Sequence, residues 1–290
     1  KAPSLYNPVA NPKRARIRQQ YVLRRMRELG FISPADLQAA EAENLRIKHD
    51  LNDFGVHADY VAEMARQIAV DRFQDDAYTI GLRVTTTIRK DDQEAAYQAL
   101  RRGVLDYDRR HGYRGAEAYV DLAKTQADQE EELDELLQDF DLVGELYPAL
   151  VLAVDGTRVR AYLRGGEVVD LQGNALKFAA RMIDEKAPAN KRIRRGAVIR
   201  LMKDDKQGWQ IAQIPEVEAA LIAANPQDGA VRALVGGFDF GRNKFNHVTQ
   251  AWRQPGSSFK PFIYSAALEK GYNPASVIPD EPISISAEET

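Results

Sequence analysis

The feature that most narrows the fold is a run of short apolar segments after Pro148: Ala149 to Val154, Val159 to Leu163 and Val168 to Leu171, separated by Asp155-Gly156 and Gly165-Gly166. β-Branched runs bounded by such dipeptides predict strands joined by tight hairpins, since glycine accepts the positive φ those turns need. After a polar, helical interval around Leu176 to Lys186, Ala197 to Met202 and Gln210 to Ile214 supply two more strands. About five strands in roughly 65 residues fit a small barrel.

A barrel of this size is OB-like. Barrels of that kind hold oligonucleotides or oligosaccharides, but this segment has no conspicuous series of aromatics for stacking, so a spacer or regulatory module is at least as good a reading. Upstream, a basic helix is expected from about Pro12 to Leu29, closed by Gly30. Ser33-Pro34-Ala35-Asp36 starts a second helix that runs to about Asn44, with Ser33 as cap and Ile32 placed to staple onto Leu37. Val61, Met64, Ala65 and Ile68 mark one face of a third helix, and Val84 to Ile88 reads as a strand. Two stripes, Ala96, Leu100, Val104 and Leu133, Leu136, Leu137, Phe140, are core-facing. Past the barrel, Val217 to Ala224 and Val231 to Val235 form a hairpin across Asn225 to Gly229. An amphipathic helix is expected from Ser257 to Lys270, stopped by Gly271. The whole is a multidomain α+β chain.

Charge removes some functions. The formal net charge of -3 gives no general attraction for a polyanion, so nucleic acid is not an expected partner. The first 27 residues nevertheless carry eight Lys or Arg and no acid, and Asp128 to Glu145 carries nine acids and no base. Solvated helix faces are the expected reading of both runs, against an anionic membrane or lipid-linked substrate at the basic end. The absence of cysteine excludes disulfides, thiolate metal sites and a cysteine nucleophile. His49, His57, His111 and His247 lack metal-ligand spacing, so neither metal nor cofactor is expected. No apolar stretch approaches the roughly 18 residues of a membrane span.

The chemistry lies at the start of the last helix. A serine hydroxyl needs a base to become a nucleophile, and Lys260, three residues after Ser257, shares its helix face. Lys260 must be neutral to act, against an ordinary lysine pKa of about 10.4, so desolvation or nearby positive charge is required. The helix start adds unpaired N–H groups, and that of Ser257 is a natural oxyanion donor. Ser258 is two residues from Lys260 and points elsewhere. Spacing alone is weak, because eight serines and thirteen lysines give about 0.4 accidental Ser-x-x-Lys matches in such a chain.

The surrounding string carries more. Gln250-Ala251-Trp252-Arg253-Gln254-Pro255-Gly256-Ser257-Ser258-Phe259-Lys260-Pro261-Phe262 closely resembles the first active-site motif of class A, bifunctional penicillin-binding proteins. Asp228 to Gly237, the loop with Phe245-Asn246, Gly81 to Ile88, Gly112 to Gly115 and Ala2 to Pro8 resemble other parts of that family, and an inserted OB-like domain is similar to its 1A kind. The resemblance implies a transpeptidase in which Ser257 attacks the bond between two terminal D-alanines and Lys260 takes its proton. The implied ligands are peptidoglycan stem peptides, a lipid-linked precursor and β-lactams, with cell-wall regulatory proteins as partners. The implied location is the periplasmic face of a bacterial inner membrane, of Gram-negative type.

Neither a Ser-x-Asn nor a Lys-Thr/Ser-Gly element of that family occurs in the 290 residues. The expectation is a piece of a longer enzyme, weak by itself, with the remainder of the transpeptidase domain as a further partner. Its expected divisions are 1–30, the tail of a glycosyltransferase domain; 31–115, a helical and strand linker; 116–214, the OB-like domain with its acidic helix; and 215–290, the N-terminal part of a penicillin-binding/β-lactamase-like transpeptidase domain. The alternatives are a serine β-lactamase or D,D-carboxypeptidase, which share Ser-x-x-Lys, and a non-catalytic OB-like scaffold.

Overall fold

The computed structural model describes residues 6–8, 12–43, 55–122, 130–204 and 206–282. Lys1 to Leu5, Asn11, Asn44, His49 and Asp128, which figure in the sequence reading, lie outside them. The chain forms two compact units, Lys1–Gln250 and Ala251–Thr290.

In the first unit, helix α1 (Pro12–Glu28) ends where Gly30 takes φ +77° and Phe31 N–H donates back to Met26 O. Helix α2 (Pro34–Ala42) starts on a full capping box: Asp36 N–H donates to Ser33 Oγ, and Ser33 N–H donates to the Asp36 carboxylate. The Ser33 hydroxyl, donating to the same carboxylate at 2.6 Å, and then the Ser33 N–H lower the Asp36 carboxyl below its ordinary range. Helix α3 (Asp59–Phe73) buries only Tyr60, and Ile68 of its expected apolar face is exposed.

Helix α4 (Lys90–Arg110) buries Gln93, Ala96, Leu100, Arg101, Val104 and Asp108 along one face. Its apolar members pack with Ala233, Val235 and Phe238 from beyond the barrel. Chain on both sides of the barrel thus builds one core, with the barrel inserted between.

The barrel is a six-stranded antiparallel sheet: β1 (Ala118–Tyr119), β2 (Tyr147–Val154), β3 (Arg158–Leu163), β4 (Glu167–Gln172), β5 (Ala197–Asp204) and β6 (Gly208–Ala212). All five expected strands form; the two-residue β1 is additional. Strand β5 pairs with β2 on one edge and with β1 and β6 on the other. Trp209 Nε1 of β6 donates to Glu167 of β4 at 3.0 Å, drawing the two outer strands together.

Alternate residues of β2 face opposite ways. Ala149 and Val151 enter the barrel interior with Val159, Leu171, Ile199 and Ile211. Leu150 faces out, against Leu133 and Leu137 of helix α5 (Glu130–Leu136) and its following turn. Both faces are covered, which is why the strand reads as an unbroken apolar run. The polar interval before β5 becomes a 3-10 turn (Gly173–Ala179) and a short helix α6 (Ala180–Ile183).

Two expectations about the first unit need correction. The basic and acidic runs are not simply solvated faces: Arg14 reaches Glu130 at 3.0 Å and Asp134 at 3.4 Å. Asp134 is itself buried, accepting from Tyr162 Oη and Gly165 N–H. Val84 to Ile88 forms no strand: among the described residues it is linked to the neighbouring chain by Thr87 Oγ1 on Val231 O, with Arg89 N–H just beyond it on Arg232 O.

Candidate acyl-transfer site

The approach to the site starts with a hairpin, β7 (Leu221–Ala224) and β8 (Val231–Val235), shorter at its start than expected because Val217 to Ala220 makes no ladder. Its loop is fixed by side-chain acceptors: Asn225 Oδ1 takes Gln227 N–H and Asp228 Oδ1 takes Ala230 N–H. Gly236 and Gly237 follow, and a Cβ on either would run into Tyr60. That close approach lets Tyr60 Oη donate to Asn243 O at 2.7 Å. Burial, reinforced by the carboxylates of Glu218 and Asp239, pushes the Tyr60 phenol far above its ordinary pKa, so it stays a donor.

Asn246 is the second latch. It is buried; its Oδ1 accepts Val248 N–H and its own N–H donates to Gln250 Oε1 at 2.7 Å. His247 N–H donates to Gly236 O. The loop leading to Gln250 is therefore held by residues, Tyr60 and Asn246, to which sequence reasoning assigned no role in positioning. The Gly-Gly pair was the available signal, since adjacent glycines in an ordered strand end imply close contact.

In the second unit, Gly256 takes φ +55° and opens a 3-10 turn (Gly256–Phe259) that passes directly into helix α7 (Lys260–Glu269). The expected single helix from Ser257 is thus two elements. The change tightens the geometry: residues i and i+3 of a 3-10 turn eclipse, so Ser257 and Lys260 come into line. Lys260 N–H donates to Ser257 O across that turn. The two side chains are exposed and make no hydrogen bond to each other. A first-turn N–H such as that of Ser257 has no acceptor within its own helix.

Helix α7 is not amphipathic. Phe262, Ile263, Tyr264, Ala266, Ala267 and Leu268 surround it, the pattern of a helix meant for a core. The Phe259 and Phe262 rings lie 5.6 Å apart beside the turn. At its end, Gly271 takes φ +88° and Tyr272 N–H donates to Ala267 O, which closes the helix where glycine was expected to stop it.

Residues 113–217 match the family described as penicillin-binding protein OB-like domain, and residues 219–290 match the penicillin binding protein transpeptidase domain. The chain belongs to the class A penicillin-binding proteins. Within that class its relatives are of the 1A kind: it is 46% identical over 286 residues to penicillin-binding protein 1A of Neisseria lactamica, covering 98% of this chain and 36% of that one. It is 40% identical to penicillin-binding protein 1A of Pseudomonas aeruginosa, covering 98% of this chain and 34% of that one. The crystal structure of penicillin-binding protein 1A from Haemophilus influenzae superposes with a TM-score of 0.67 at 36% identity, covering 100% of this chain and 42% of that chain. The chain spans about a third of the length of the curated relatives it matches. Among the described residues, no helix is long and apolar enough to cross a membrane.

Proposed function

We propose that this chain carries the acylated serine of a peptidoglycan D,D-transpeptidase, within a bifunctional cell-wall synthase that also has glycosyltransferase activity. The observation that carries the reading is Ser257 one 3-10 turn before Lys260, at a helix start inside the segment that matches the transpeptidase family. Neutral Lys260 takes the hydroxyl proton as Ser257 Oγ bonds to the carbonyl carbon of the penultimate D-alanine. The Ser257 N–H steadies the oxyanion. The peptide C–N bond then breaks, and the terminal D-alanine leaves with the proton Lys260 held. An amine of a second stem peptide attacks the ester, forms the cross-link and returns Ser257. β-Lactams acylate the same oxygen.

The substrates are stem peptides and lipid-linked precursor at the periplasmic face of a Gram-negative inner membrane, with cell-wall regulatory proteins and the remainder of the transpeptidase domain as partners. Residues 1–30, 31–115, 116–214 and 215–290 are the corresponding divisions. A full-length protein containing this chain, incubated with a fluorescent penicillin and followed by intact mass, tests the reading. Durable labelling that Ser257→Ala abolishes is expected. Rapid turnover indicates a β-lactamase, and labelling that survives Ser257→Ala removes the assignment.

A further inference from the structure

The OB-like barrel has a cleft whose lining includes neither Ser257 nor Lys260. It holds about 810 Å³ between the β2–β3 turn (Val154, Asp155, Gly156), helix α6 with Asp184, Glu185 and Lys186, and the run Arg192 to Arg195 that leads into β5. That volume falls within the roughly 300–1,000 Å³ of sites that enclose small ligands.

Its charges are unevenly committed. Asp155 Oδ1 accepts N–H groups from Thr157 and Arg158, and Asp184 Oδ1 accepts Lys186 N–H, so these two acids shape turns. Among the described residues, none of Lys186, Arg192, Arg194 and Arg195 forms an ion pair with a carboxylate. Arg192 donates from Nη1 to Glu185 O at 3.2 Å, while its buried Nε has no acceptor among the described residues. Arg195 donates to Leu122 O, and the Arg194 guanidinium sits 4.5 Å from the Tyr119 ring centre. Four cations that line one cleft without a carboxylate partner call for an anion, and a carboxylate takes two parallel N–H bonds from one arginine.

We propose that this cleft binds the carboxylates of a short acidic peptide, with Arg192 as the bidentate anchor and Arg194 and Arg195 at its mouth. No aromatic residue lines the cleft, which argues against nucleobases, whose recognition rests on stacking. Val154 offers apolar contact for a peptide's aliphatic parts, and the Glu185 carboxylate suits its amino end.

The test is calorimetric titration of the 290-residue chain with triglutamate, triglutamine and trigalacturonate. Triglutamate is expected to bind at least about tenfold more tightly than triglutamine, the equivalent of one charge-assisted contact or more. Arg194→Gln is expected to weaken it about fivefold with an unchanged melting temperature, and Arg192→Lys, which keeps charge but loses the fork, about tenfold. Equal affinity for triglutamate and triglutamine overturns the proposal. So does wild-type affinity in both variants. Trigalacturonate binding without triglutamate binding overturns it in favour of an acidic glycan.

Discussion

Arg101 and Glu145 join helix α4 to the turn that enters the barrel: Arg101 Nε and Nη2 both donate to one Glu145 oxygen, at 3.0 and 2.6 Å. The same guanidinium donates from Nη1 to Phe238 O at 2.6 Å and lies 4.1 Å from the Phe238 ring centre. Arg101 is only 2% exposed, so one buried cation ties the inserted barrel to chain that precedes it and to chain that follows it.

Removing one partner of such a pair leaves the other charge buried and unmatched. Glu145 is 47% exposed at its side chain, which lets water replace part of its role. Glu145→Gln is therefore expected to cost about 1–3 kcal/mol, and Arg101→Met, which also frees Phe238 O, about 3–5 kcal/mol. Gly144→Ala adds a Cβ that overlaps the Arg101 guanidinium; in an Arg101→Met background it should lose the cost of that overlap and keep only the strain of alanine at φ +56°. Urea unfolding of the four variants measures all of this; additive costs for Gly144→Ala and Arg101→Met contradict the geometry.

Gln93 does the work of a strand. At 1% exposure, its Oε1 accepts Leu234 N–H at 2.8 Å while its Nε2 donates to Leu234 O and His57 O at 3.0 and 2.7 Å. Gln93→Leu removes the partners of two buried backbone groups on Leu234 and of the part-buried His57 O, and is expected to destabilise the first unit by about 2–4 kcal/mol. Gln93→Glu offers acceptors but no donor, and should be no better. Retention of wild-type stability in either variant contradicts this role.

The first unit should also weaken in acid through Glu94. Burial works against its charged form, but hydrogen bonds from His57 and Gln98 outweigh it and hold the carboxyl below its ordinary value. A group with a depressed folded pKa adds stability that is present above the unfolded pKa, about 4.3 for glutamate, and is lost as pH falls through the folded pKa. The stability difference between wild type and Glu94→Gln should therefore be steady above about pH 5 and shrink below about pH 4. A difference that does not change with pH across that window contradicts the assignment.

What could be read from sequence was local. Asp155-Gly156 and Gly165-Gly166 placed the hairpins, Ser33 and Asp36 fixed a helix start, and Ser257 and Lys260 are neighbours by spacing alone. What could not be read depends on partners distant in the chain. Gln93, Arg101 and Arg200 are polar and look like surface, yet their donors are answered by Leu234, Glu145 and Glu117, from 44 to 141 residues away. Val84 to Ile88 has strand composition, yet among the described residues it is linked to Val231 by Thr87 and forms no strand. Helix α7 has an apolar girdle that a search for one-sided periodicity mistakes for a stripe.

The role of Lys260 separates from its charge by a single substitution. If it served only to attract an anionic substrate, arginine would replace it, being positive and of similar reach. If it removes the Ser257 proton, arginine fails, because a guanidinium stays protonated in a protein and has no neutral form to accept one. In a full-length protein, Lys260→Arg should lower the rate of penicillin acylation by at least about a hundredfold while leaving reversible binding of the antibiotic within about threefold. Stopped-flow acylation resolves the two constants. Near-normal acylation by the arginine variant would reduce Lys260 to an electrostatic contact and transfer the proton to another base.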